Sequence, residues 1–120
     1  VIFFENLINW KTPIILCEGV FDAMAIKRNA IPLLGKSISD NLYKKILTSK
    51  VNDIYIALDN DAQKRAIEIA HKFLNQGKRV FLIEMADKDP SEMGFEAFTK
   101  HVQQAEELDL GALMLHKLQL

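Results

Sequence analysis

Asp53-Ile54-Tyr55-Ile56-Ala57-Leu58-Asp59-Asn60-Asp61 is the stretch on which the reading of this chain turns. Its first six residues are mostly apolar and include β-branched and aromatic side chains, so they read as a strand. The strand runs without a spacer into three polar residues, two of them carboxylates. Downstream, Ala66, Ile69, Ala70, Phe73 and Leu74 recur at three- and four-residue spacing, as on the buried face of an amphipathic helix. Gly77 is placed to stop that helix, and Val80-Phe81-Leu82-Ile83 then reads as another buried strand. Strand, acidic loop, helix and strand in succession make a parallel βαβ unit.

The same grammar extends towards the N-terminus. Pro13 precedes Ile14-Ile15-Leu16-Cys17, a continuous apolar run suited to a strand covered on both faces, and Glu18-Gly19 ends it. Asp22–Arg28 reads as a helix, and Ile31-Pro32-Leu33-Leu34 as a short strand that Pro32 confines to an edge or a strand start. Ser39 is a cap for a helix reaching about Leu47. Beyond the polar segment Asp87–Glu92, two helical stretches are expected, Phe95–Val102 and Glu106–Leu118, the second weakened by Gly111. The expected fold is α/β, a compact three- to four-stranded, mainly parallel sheet with helices on both faces. One domain is expected over residues 1–120, with core motifs in about 13–93 and a helical extension in 94–120. The tail Leu108–Leu120 either packs on this sheet or leads to another domain. The start at Val1 suggests a piece of a longer protein.

Composition narrows the function classes. Of the 120 residues, 49% are hydrophobic and 26% charged, which supports a packed core and argues against disorder. The formal net charge of −1 argues against a free-standing, tight nucleic-acid binder, so any grip on nucleic acid has to come from metal ions or neighbouring domains. The single cysteine, Cys17, excludes an internal disulfide and a cysteine-based zinc site, which fits a reducing cytoplasm. No run approaches the length of a membrane span, and no signal peptide is visible.

Carboxylates follow the confident strands: Glu18 and Asp22 after the first, Asp59 and Asp61 after the next, Asp89 and Glu92 after the last. Parallel strands joined by right-handed crossovers place these groups along one sheet edge, where open α/β sheets hold their sites. Each group has a plainer reading. Glu18 could be a solvated turn residue, Asp22 a helix-N-terminal acid, Asp59-Asn60-Asp61 a capping loop, and Lys88-Asp89-Pro90 a turn. Their conjunction says more, because clustered carboxylates repel unless a cation neutralises them. Oxygen-only ligands suit a hard ion, Mg²⁺ or Mn²⁺. His71, His101 and His116 lack partners at ligand spacing, Cys17 reads as a core residue, and Trp10 as packing for the N-terminal segment.

Three motifs resemble the Toprim family: Glu18-Gly19-Val20-Phe21-Asp22 its E-G-x-x-D, Asp59-Asn60-Asp61 its D-x-D, and Lys88-Asp89-Pro90-Ser91-Glu92 the K-D-P-x-E segment of the primase branch. The family also holds topoisomerases, nucleases, ribosomal-RNA maturases and recombination mediators, but the R-E-G-like run of topoisomerases is absent. Primases commonly carry Ala-Gly after the D-x-D, where this chain has Ala62-Gln63. The resemblance implies the Mg²⁺- or Mn²⁺-dependent catalytic domain of a DNA primase, of phage-like primase or primase-helicase kind, in a bacterial or phage-infected cytoplasm. It makes Glu18 a metal ligand or general base, Asp59 and Asp61 the main ligands, and Asp22 and Asp89 supports of a second metal or of nucleotide phosphates. Lys36 and Lys88 are candidates to meet phosphates. Single-stranded DNA template and nucleoside triphosphates are the implied partners through the full-length protein, with a replicative helicase as a further one. The alternatives are a Toprim nuclease, a receiver-like signalling domain and a non-catalytic docking scaffold.

Overall fold

The computed structural model describes residues 5–26, 29–84 and 94–119. Five strands form one sheet: β1 (Ile14–Cys17), β2 (Ala30–Pro32), β3 (Asp53–Ala57), β4 (Arg79–Leu82) and β5 (Glu106–Leu108). The spatial order is β2-β1-β3-β4-β5. The first four run parallel and β5 pairs antiparallel with β4. Among the described residues five α-helices accompany them: α1 (Val20–Ile26), α2 (Asp40–Thr48), α3 (Gln63–Leu74), α4 (Phe95–Gln103) and α5 (Leu110–Gln119).

Period-two alternation sorts the apolar side chains between two cores. Ile14 and Leu16 of β1 join Ile54 and Ile56 of β3 and the buried faces of α2, α3 and α5 on one side. Ile15 and Cys17 join Ala23 and Ile26 of α1 and Phe98 of α4 on the other. The strand β1 is therefore buried at all four positions, as its unbroken apolar run requires. Pro32 lies in the edge strand β2, where its missing N–H breaks no central ladder.

The C-terminal region differs from the expectation of two helices. Glu106–Leu108 is a fifth strand, and the last helix begins only at Leu110. Two glutamates in a three-residue segment carry little intrinsic strand preference, and the pairing overrides it. Leu108 sits opposite Val80 and is buried, while Arg79 reaches Glu107 at 3.4 Å. Asp109 accepts from the Ala112 amide at 2.7 Å and so starts α5 where the strand ends. The C-terminal helix packs on the sheet through Leu113, which is buried in the larger core.

Candidate active site at the carboxyl edge of β1 and β3

The strand order positions the site. From β1 the chain moves outward to β2 through α1, then returns over the opposite face through α2 to β3 on the other side of β1. The direction of winding thus reverses between β1 and β3, and the crevice past their carboxyl ends is where doubly wound sheets bind ligands. The register aligns Cys17 with Ala57, so Glu18 and the Leu58-Asp59 pair leave the sheet side by side.

A cleft of about 590 Å³ opens there, lined by Glu18, Gly35, Ser37, Asp59, Asp61, Ala62, Lys64, Arg65 and Glu68. The structure thus brings Glu18, Asp59 and Asp61 to one concavity. Asp59 precedes a 3₁₀ turn, Asn60–Ala62, and makes no side-chain capping bond to it. The plain capping reading of the Asp-Asn-Asp loop therefore does not account for that carboxylate.

Asp22 is placed differently. It is 7% exposed, and its Oδ2 accepts from the Gly19 amide at 3.1 Å, closing the turn between β1 and α1. It does not line the cleft; its carboxylate fixes the backbone that presents Glu18. Lys36 is exposed and also outside the lining, between Gly35 and Ser37, which belong to it. Lys88, Asp89 and Glu92 lie outside the described residues.

The loop that carries Gly35 is unusual in its backbone. Leu34 has φ of 60° and Gly35 has φ of 75°, two successive left-handed residues. Glycine adopts this readily; leucine does so at a cost. Hydrogen bonds of 2.8 Å from the Leu33 amide to the Cys17 carbonyl, and from the Leu34 amide to the Glu18 carbonyl, hold the loop against the end of β1. A Cβ on Gly35 would lie 3.8 Å from Glu18 Oε1, so this loop forms a wall close to the carboxylate.

One ion pair in the cleft is an interaction that motif reasoning missed. Nη2 of Arg65, in the first turn of α3, donates to both oxygens of Glu18, at 2.6 and 2.5 Å. Both side chains are largely buried, with 18% and 23% exposure for Arg65 and Glu18. A signal for it existed. Lys64-Arg65 puts two cations into a helix's first turn, against the sign the macrodipole favours, and such a pair needs nearby anions.

Gln63, the departure from the Ala-Gly pattern, turns out of this cleft. Its Nε2 donates to the Asp59 carbonyl at 3.4 Å, and it lines a separate cavity of about 510 Å³ with Leu82, Ile83, Glu84, Gln104, Glu106 and His116. The space beside the D-x-D is therefore not narrowed by its side chain.

Among the described residues, no three His, Cys, Asp or Glu side chains converge closely enough to hold a metal ion by themselves. The donor chemistry still fits Mg²⁺. Asp59 and Asp61 give two carboxylates on one open wall, and Mg²⁺ is commonly bound through one or two carboxylates with waters and phosphate oxygens completing its shell. Next to the site, burial pushes the Cys17 thiol well above its ordinary value of 9.0, and the Asp22 and Glu18 carboxylates add to the effect. Cys17 Sγ lies 3.7 Å from the carbonyl oxygens of Gly19 and Ile31. The thiol stays protonated and belongs to the core, not to the chemistry.

The crystal structure of the Aquifex aeolicus primase, comprising its zinc-binding and RNA polymerase domains, superposes with a TM-score of 0.68 at 23% identity. The match covers 80% of this chain and 26% of that one, so the likeness is one of fold. No curated protein matches the sequence. Among the described residues no helix is long and apolar enough to cross a membrane. A family profile described as Toprim-like matches residues 15–94, two-thirds of the chain, from the start of β1 to beyond β4; the chain belongs to the Toprim-like family.

Proposed function

We propose that this chain is the metal-dependent catalytic domain of a DNA primase, joining nucleotides by phosphoryl transfer on a single-stranded DNA template. The observation that carries the reading is the meeting of Glu18, Asp59 and Asp61 in one cleft at the switch point between β1 and β3. The likeness to the Aquifex aeolicus primase fold favours the primase branch over other Toprim activities.

In this reading Asp59 and Asp61 are the principal ligands of Mg²⁺ or Mn²⁺, and Asp89 belongs to the same set. Bound divalent cations supply charge neutralisation at the transferring phosphate. Glu18 stands at the end of the neighbouring strand β1, positioned either as a further ligand or to accept the proton of the attacking 3′-hydroxyl. Asp22 supports the site at one remove by holding the Glu18-Gly19 turn. The first turn of α3 forms part of the wall, and the positive end of its dipole favours phosphate there. Lys88 and Lys36 are further contacts for nucleotide phosphates. Template, triphosphates and a replicative helicase are met through the full-length protein, in the cytoplasm of a bacterial or phage-infected cell.

The test is a calorimetric titration of Mn²⁺ and Mg²⁺ into the chain and into the double variant Asp59→Asn, Asp61→Asn. Binding in the micromolar to millimolar range by the parent, lost in the double variant, is the expected result. Binding by neither protein would remove the catalytic reading and leave a docking scaffold. Single-strand cleavage in Mn²⁺ would move the assignment to a nuclease.

A further inference from the structure

The cleft has an imbalance of charge that its carboxylates alone do not resolve. Glu18, Asp59, Asp61 and Glu68 face only Lys64 and Arg65 among its lining residues, a formal sum of −2. A phosphate entering such a cleft is repelled unless divalent cations enter with it. Yet one of the two cations is already committed, since Arg65 holds Glu18 through both carboxylate oxygens.

The form of that pairing matters. Arginine binds a carboxylate best with two nitrogens in parallel. Here a single nitrogen, Nη2, serves both oxygens, and Nε is buried with no hydrogen-bond partner. A buried guanidinium N–H without an acceptor is uncommon. The Arg65 side chain is therefore fastened at one end, in a cleft that repels anions less with each carboxylate that is neutralised, Glu18 first among them because it holds the guanidinium. Guanidinium geometry matches phosphate as well as it matches carboxylate.

We propose that Arg65 is a phosphate-binding residue of this cleft, held in reserve by Glu18. Resting on the reading of Asp59, Asp61 and Glu18 as a divalent-cation site, the inference is an exchange of partners. When a divalent cation engages Glu18, the guanidinium is released and donates to the phosphate that accompanies the cation. Arg65 and the metal then compete for Glu18, while Arg65 and the metal cooperate towards phosphate. The same residue thereby opposes cation binding in the absence of substrate and favours the ternary assembly in its presence.

Mn²⁺ and inorganic pyrophosphate serve as probes, with the 120-residue chain and its variants Arg65→Gln, Arg65→Lys and Glu18→Gln, each checked for folding by circular dichroism. Free Mn²⁺ is counted by electron paramagnetic resonance, and pyrophosphate binding is measured by calorimetry with and without saturating Mn²⁺. Arg65→Gln is expected to bind Mn²⁺ several-fold more tightly than the parent and, at saturating Mn²⁺, to bind pyrophosphate about tenfold more weakly, the effect of one lost charge-assisted contact. Arg65→Lys should lie between the two. Unchanged Mn²⁺ and pyrophosphate affinities in a folded Arg65→Gln would overturn the proposal, as would weaker binding of both. Glu18→Gln supplies an arm independent of metal and of the Arg65 variants' folding. Freed from its carboxylate, Arg65 should raise metal-free pyrophosphate binding several-fold, and no rise means the guanidinium does not serve phosphate. If the parent binds no Mn²⁺ while the Glu18→Gln arm succeeds, the cation-site reading fails and the phosphate role of Arg65 stands.

Discussion

Cys17 and Asp22 show what single residues beside the site contribute. The Cys17 thiol is buried, and its ionisation is displaced upward, first by burial and then by Asp22 and Glu18. In the unfolded chain the thiol ionises near its ordinary value of 9.0, whereas the folded protein retains the proton. Above that pH the unfolded state binds fewer protons than the native state, so stability falls as pH rises. The expected outcome is alkaline destabilisation beginning near pH 9 that Cys17→Ala reduces, read from urea midpoints across pH. Labelling of Cys17 by iodoacetamide should be slow in the native protein and fast in urea, because the thiolate is the reactive form. For Asp22, Asp22→Ala leaves the Gly19 amide without its acceptor and should cost about 1–3 kcal/mol. Asp22→Asn keeps a side-chain oxygen and should recover most of that loss, measured by denaturant unfolding.

At the scale of elements, local chemistry made most of the fold readable. The apolar run Ile14–Cys17, the strand before Asp59, the stripe on α3 and the cap at Ser39 all act through neighbours close in sequence. Ser39 accepts from the Leu42 amide at 3.2 Å, and Ser39→Ala is expected to lower stability by about 1 kcal/mol in thermal or urea melts. Gly77 has φ of 80° with open space around it, so Gly77→Ala strains the backbone without a clash and should cost about 1 kcal/mol. What could not be read lay in long-range pairings. The acidic strand β5 exists because β4 offers an edge, Leu108 is buried opposite Val80, and Arg79 reaches Glu107. That Glu18, Asp59 and Asp61 share one cleft was legible because they lie just past the ends of two neighbouring parallel strands. Arg65 was legible only as a first-turn cation in need of some anion; which anion was hidden, because its partner is 47 positions away and no short motif records that distance. Asp22 and Lys36 were legible as residues near the site, but motif spacing says nothing about which way a side chain turns.

Over the whole molecule, the site hangs from two central strands and the C-terminal region closes the sheet beside them. Leu113 anchors α5 in the larger core, and Leu113→Ala should destabilise the chain by about 2–5 kcal/mol while leaving the cleft residues in place. With a net charge of −1, the chain by itself is expected to bind single-stranded DNA weakly and to make no detectable primers, measured by filter binding and by incorporation of labelled nucleotide. The pairing of β1 with β3 has a consequence for how the protein forms. The β3–β4 ladder joins Asp53 to Arg79 across one helix, whereas the β1–β3 ladder joins Ile14 to Ile54 across two helices and an edge strand. Closing the longer loop costs more chain entropy, so the ladder nearer in sequence has the kinetic advantage. In pulse-labelled hydrogen exchange during refolding, amides of β3 and β4 should gain protection before those of β1. A nascent chain would then carry Asp59 and Asp61 on a formed scaffold while Glu18 is still unplaced, and the ability to act would arrive with the last strand to dock.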